Sequence, residues 1–177
     1  MTWLLTFYLA MAGNNDDPAI ALNNRGLTLM QHGRTQEAAR AFEQAEALAG
    51  SDLALSMILR NEALAMLRLD NTARASRLAA RALRLAESAA GFTDPHLTPI
   101  LNTLAEIAIG EGRYDEASGW LRRAVEIGEV AGPHYATAVH NSGALAKLQG
   151  DSRRAKVLCA RAKALRRVGV ASYARRD

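Results

Sequence analysis

Residues 101–124, LNTLAEIAIGEGRYDEASGWLRRA, read as two helices joined by a tight turn. Leu101 and Ala105 stand four apart and so share one helix face, a large residue followed by a small one against which a partner helix can approach closely. Glu111-Gly112-Arg113 then breaks the pattern with a glycine suited to a positive backbone angle. Ala117, Leu121 and Ala124 follow at i, i+4 and i+7, the stripe of a packed second helix. The same pattern recurs three more times. Leu22/Gly26, the turn His32-Gly33-Arg34 and Ala38/Phe42/Ala45 form one copy; Val139/Gly143, the turn Gln149-Gly150-Asp151 and Ala155/Cys159/Ala162 form another. The remaining copy, Leu59/Ala63 with the turn Leu69-Asp70-Asn71 and Ala75, Ala79 and Ala82, departs most. Asp70 replaces the turn glycine and Ala79 the bulky residue, so looser packing is expected there. The alanines that begin the second helices, Ala38, Ala75, Ala117 and Ala155, are spaced by 37, 42 and 38 residues, a helical-repeat period.

The small residue on the first helix, the glycine turn and the alanine-x-x-x-apolar-x-x-alanine second helix resemble tetratricopeptide (TPR) repeats. The long spacings, the Asn near the start of each first helix, and the prolines of Asp94-Pro95-His96 and Gly132-Pro133-His134 upstream are similar to the roughly 42-residue kinesin-light-chain type, which is widespread in bacteria. The resemblance implies an all-α, right-handed α-solenoid of four hairpins over residues 18–168, with repeats at about 18–50, 52–90, 95–131 and 133–168. Residues 1–17 are expected to be an apolar segment and linker, and 169–177 a basic tail. An excess of arginine over lysine points to a GC-rich, bacterial genome.

Composition agrees. Of 177 residues, 36 are alanine and only 5% are aromatic, a bias towards helix formers and away from strands. The single cysteine excludes an intrachain disulfide framework or a cysteine-rich metal site. No apolar run reaches the ~18 residues of a membrane span. Met1–Ala12, MTWLLTFYLAMA, is apolar and ends at the polar run Gly13-Asn14-Asn15-Asp16-Asp17. It reads as a short signal peptide without the basic start, as a helix covering one end of the fold, or as an unstructured end; localisation is therefore cytoplasmic, or exported if the segment is a signal. Uncovered solenoid ends would favour self-association.

Nothing in the sequence assembles a catalytic set. His134 and His140 are six apart and not on one face, no H-E-x-x-H or phosphate loop occurs, and no loop has calcium-ligand spacing, so no enzyme activity, metal or cofactor is expected. Cys159 falls where other copies carry Phe42, Ala79 and Leu121 and is expected to be buried packing. Met57, Met66, Tyr114 and Trp120 read as packing too, and His32 and His96 as exposed structural residues.

The binding candidates lie on the first helices, which the resemblance places on a concave groove. Asn24, Asn61, Thr103 and Asn141 occupy equivalent places; Asn23, Arg60, Asn102 and His140 adjoin them, and Leu27, Leu64 and Glu106 lie one helical step away. An amide both donates and accepts, so such a ladder can hold the backbone of an extended peptide; alternatively these side chains bond between helices. The implied function is a non-catalytic protein- or peptide-binding scaffold or adaptor. Chaperone tails are disfavoured as ligands, since Leu27, Leu64, Pro99 and Thr103 stand where a carboxylate clamp needs basic or amide groups. A rival surface is the basic patch Arg153, Arg154, Arg161, Arg166 and Arg167, which could attract nucleic acid or anionic lipid. Nucleic acid is disfavoured because Tyr173 is the one aromatic residue among these cations.

Overall fold

A computed structural model describes residues 17–128 and 133–173. The Met1–Ala12 segment lies outside the described residues. Among those described there are eight α-helices and no strand: α1 Pro18–Gln31, α2 Thr35–Leu48, α3 Asp52–Arg68, α4 Thr72–Ala90, α5 Thr98–Gly110, α6 Tyr114–Ile127, α7 Pro133–Leu148 and α8 Ser152–Tyr173, with a single 3-10 turn at Pro95–Leu97. The fold is all-α, of the helical-repeat solenoid type. The last helix is described through Tyr173, past the boundary expected at 168. No described helix is long and apolar enough to cross a membrane.

Four of the helix starts carry side-chain caps. Asp17 accepts from the Ala19 amide at 2.8 Å with Pro18 in the first helical turn, and Ser51 accepts from the Ala54 amide at 3.2 Å. Asn71 and Asp151 do the same for α4 and α8. Each hairpin turn needs one left-handed residue. Gly33, Gly112 and Gly150 have φ of 74°, 72° and 86°, and Asp70 adopts the same region at 56°. Asp70 thus reproduces the glycine turn, and Ala75, Ala79 and Ala82 are fully buried.

Two compact units divide the chain at Leu78/Ala79. In the first, α1 packs on α2 and α2 on α3. Its tightest approach is Gly26 against Phe42: a β-carbon on Gly26 would sit 2.4 Å from the Phe42 ring, which is wholly buried. The small residue read on the first helix is therefore a notch, and the bulky residue of the second-helix stripe is its plug. In the second unit α5 packs on α6, α7 lies against both, and α8 pairs with α7. Ala105, Ala108, Ala117, Leu121 and Leu145 form one core there, with Tyr114 and Trp120 packed on it, and Tyr135, Val139 and Ala162 form another.

Candidate functional site

In the first unit the candidate amides divide into two kinds. Asn61 is buried; its amide nitrogen donates to the Asn23 side-chain oxygen at 2.8 Å and its own oxygen accepts from Arg60 at 2.8 Å. This Arg60–Asn61–Asn23 chain ties α1 to α3. Asn24 instead is exposed, as is Leu27 one step along α1, and Leu64 on α3 is half-buried. Met57, expected in the core, is 51% exposed on α3 beside them in sequence register. The reason is positional: α3 buries Ser56, Ile58 and Leu59, and Met57 falls on the other side of the helix.

The second unit repeats the division. Asn102 is buried and donates to the His134 carbonyl at 2.9 Å, holding α5 to the start of α7, while its side-chain oxygen has no partner. Thr103 is buried and donates to the Pro99 carbonyl at 3.0 Å within its own helix. Glu106 and His140 are exposed and Asn141 is half-buried. Asn61, Asn102 and Thr103 are therefore engaged inside the protein, whereas Asn24, Leu27, Glu106 and His140 face solvent.

The basic patch does not stay together. All five arginines are exposed on α8, but Arg154 and Arg161 border a cavity of about 450 Å³ formed with α6 and α7, over Leu121, Val139 and Leu145. Arg161 is also engaged, donating to the Tyr135 hydroxyl at 2.8 Å with its guanidinium 5.9 Å from that ring. Arg166 and Arg167 instead line a second hollow with His140, Cys159 and Lys163. Cys159 corrects the sequence expectation: its sulfur sits against Gly143 of α7, yet it is exposed, because among the described residues no second helix packs on α8 to cover it.

Two features went unread in the sequence. Glu62 is fully buried on α3 and accepts from Arg74 at 2.7 Å, while Arg74 also pairs with Glu43 at 2.5 Å. Burial pushes the Glu62 carboxyl up, and the Arg74 charge opposes that shift. A glutamate in mid-helix, next to the Leu59/Ala63 packing pair, was the available signal. Arg123, likewise, reaches Glu87 at 2.6 Å and the Phe92 carbonyl at 3.0 Å, packing over the Phe92 ring. His32 bonds the Thr28 carbonyl and His96 the Asp94 carboxylate, both exposed. Among the described residues no group of His, Cys, Asp and Glu converges as metal ligands would.

Family models described as tetratricopeptide repeat match residues 19–52 and 98–127. No curated protein matches the sequence. Among solved structures, BtubC (BKLC) from P. vanneervenii is similar over 84% of this chain and 63% of its own, with 22% identity and a TM-score of 0.68. The chain thus spans less than two thirds of that relative. Nearly identical TPR-like repeats of kinesin-light-chain type from Podosopora anserina align over 85% of this chain and 76% of theirs, with 18% identity and a TM-score of 0.68. YrrB, a TPR protein with an unusual peptide-binding site, aligns over 96% of this chain and 81% of its own, with 18% identity and a TM-score of 0.57. At these identities the likeness is one of fold.

Proposed function

We propose that this tetratricopeptide-repeat protein is a non-catalytic interaction scaffold that holds an extended peptide against its first helices. The observation that carries this reading is what the first unit leaves exposed: the amide of Asn24 with Leu27 three positions along α1, and Met57 on the neighbouring first helix α3. Large apolar side chains left in water next to a donor-acceptor amide are what a peptide's side chains and backbone respectively require. Asn61 and Asn102 then serve the scaffold, fixing successive first helices so that the exposed members keep their register. Glu106, His140 and Asn141 form the matching group on the second unit.

The test is affinity capture with the full chain and with an Asn24→Ala/Leu27→Ala/Met57→Ala variant, at two salt concentrations. Retention of a protein by the parent, its loss from the variant and little effect of salt are expected. Equal retention by both, with release by salt alone, overturns the reading.

A further inference from the structure

The hollow on α7 and α8 carries a charge that the rest of the second unit does not prepare for. Moving 38 positions along the chain takes Asn102, Leu121, Val125 and Gly128 to His140, Cys159, Lys163 and Arg166. The first set receives a helix. Asn102 donates to the α7 carbonyl of His134, Leu121 is buried, Val125 packs on the Tyr135–Val139–Ala162 core, and a β-carbon on Gly128 would meet Tyr135 at 3.2 Å. The second set occupies the same register one hairpin later, yet two of its members, Lys163 and Arg166, are cationic and a third, His140, is an imidazole. With Arg167 they enclose about 680 Å³, and no carboxylate lines it. Among the described residues, neither Lys163, Arg166 nor Arg167 has an acidic partner.

We propose that this face docks an acidic amphipathic helix of a partner protein, lying across α7 and α8 as α7 lies across α5 and α6. This rests on the scaffold reading only in supposing a protein partner; the two surfaces share His140 alone, and the other residues of this one lie on α8. Helix rather than extended chain follows from the register, since the preceding hairpin accepts a helix at these positions. Cys159 supplies the small side chain of the lining, its thiol seated within 2.9 Å of the place a β-carbon of the buried Gly143 would take, which leaves a shallow place for the partner's apolar edge. Carboxylates on its flanks would meet His140, Lys163, Arg166 and Arg167. Among the described residues many carboxylates already have partners: Glu37 is held by Arg34, Glu43 and Glu62 by Arg74, Glu87 by Arg123, and Glu111 and Glu116 by Arg113. The residues after Tyr173, Ala174-Arg175-Arg176-Asp177, are basic on balance. A nucleic acid is disfavoured because no aromatic ring lines the hollow for bases to stack on.

Cys159, the only cysteine, reports on the face directly. The probe is a synthetic amphipathic peptide with leucine and alanine on one face and glutamate on its flanks, tested with the full-length chain by fluorescence anisotropy and by the rate of Cys159 alkylation. Binding is expected to slow alkylation at least about fivefold and to weaken about tenfold or more in Lys163→Glu/Arg167→Glu. Arg153→Glu/Arg154→Glu, with the same change of net charge at the other end of α8, should bind within about twofold of the parent. Circular dichroism checks that both variants are folded, and shielding in the parent needs no variant. Equal loss in both variants, unshielded Cys159, equal binding by a proline-broken peptide of the same composition, equal shielding by duplex DNA, or shielding by a second copy of the chain alone would each overturn the proposal. None of these readouts touches Asn24, Leu27 or Met57, so the two readings fail separately.

Discussion

Gly26 with Phe42 and Gly143 with Cys159 are the same device in two hairpins, and they end in opposite states. Phe42 fills the notch on α1 and is wholly buried; Cys159 enters the notch on α7 and remains exposed. The difference is cover: α3 packs on α2 in the first case, and no described helix packs over Cys159 in the second. A repeat's internal pattern therefore sets how its two helices meet, while the neighbour decides whether that contact becomes core. Phe42→Ala should break this comparison most severely, costing about 3–5 kcal/mol as a buried aromatic truncation, while Cys159→Ala costs well under about 1 kcal/mol. Denaturant melts of both variants measure the contrast.

Gly26→Ala sharpens it from the other side. The added methyl would lie 2.4 Å from a ring that has no room to move, so an overpacking cost of about 1–3 kcal/mol is expected. Gly143→Ala meets the Cys159 sulfur at 2.9 Å, a side chain free to swing towards solvent, but also the Leu158 β-carbon at 3.2 Å and the Cys159 backbone nitrogen at 3.3 Å, which must give by a few tenths of an ångström, so its cost should be smaller than that of Gly26→Ala, about 1 kcal/mol. Amide exchange would localise the first effect to α1 and α2.

Cover brings its own polar chemistry. Glu62 lies buried on α3, and Arg74 spans it to Glu43 on α2. Arg74→Ala strands that carboxylate; with Arg74 partly exposed, a loss of about 1–3 kcal/mol is expected, partly recovered by adding Glu62→Gln. The pH dependence has a definite sign. Because burial raises the folded-state Glu62 pKa above its ordinary value of 4.5, its contribution is fully present below that value and is lost as pH rises through the raised one. The stability of the parent relative to Glu62→Gln should therefore fall as pH rises from about 4.5, and melts across pH read that difference directly.

These contrasts also mark what the sequence could tell. Hairpins, turns and the notch residues were legible because each follows from spacing along one helix: Leu101 to Ala105, Ala117 to Leu121 to Ala124. Exposure was not, since it depends on what another segment contributes. Cys159 was expected in the core from its register with Phe42, Ala79 and Leu121, and Met57 from its helical spacing, and both are exposed. The same limit governs the amides. Asn24 and Asn61 are equivalent by register, yet Asn61 is buried against Asn23 while Asn24 meets water, and only the packing of α3 beside α1 separates them. Glu62 and Arg74 are twelve residues apart on different helices, beyond any local rule.

The turns carry the smallest test. Gly150 and Asp70 hold the same left-handed backbone, at φ 86° and 56°, but only the aspartate has a β-carbon to strain there. Asp70→Gly removes about 1 kcal/mol of that strain and returns part of it as unfolded-chain entropy, for a net gain below about 1 kcal/mol. Gly150→Asp should lose a similar amount. The pair is read as opposite shifts in thermal midpoint. Equal and opposite shifts would mean that the turn residue acts locally, through its own φ alone. A loss at Gly150 with no gain at Asp70 would mean that the aspartate side chain contributes something its backbone angle does not reveal.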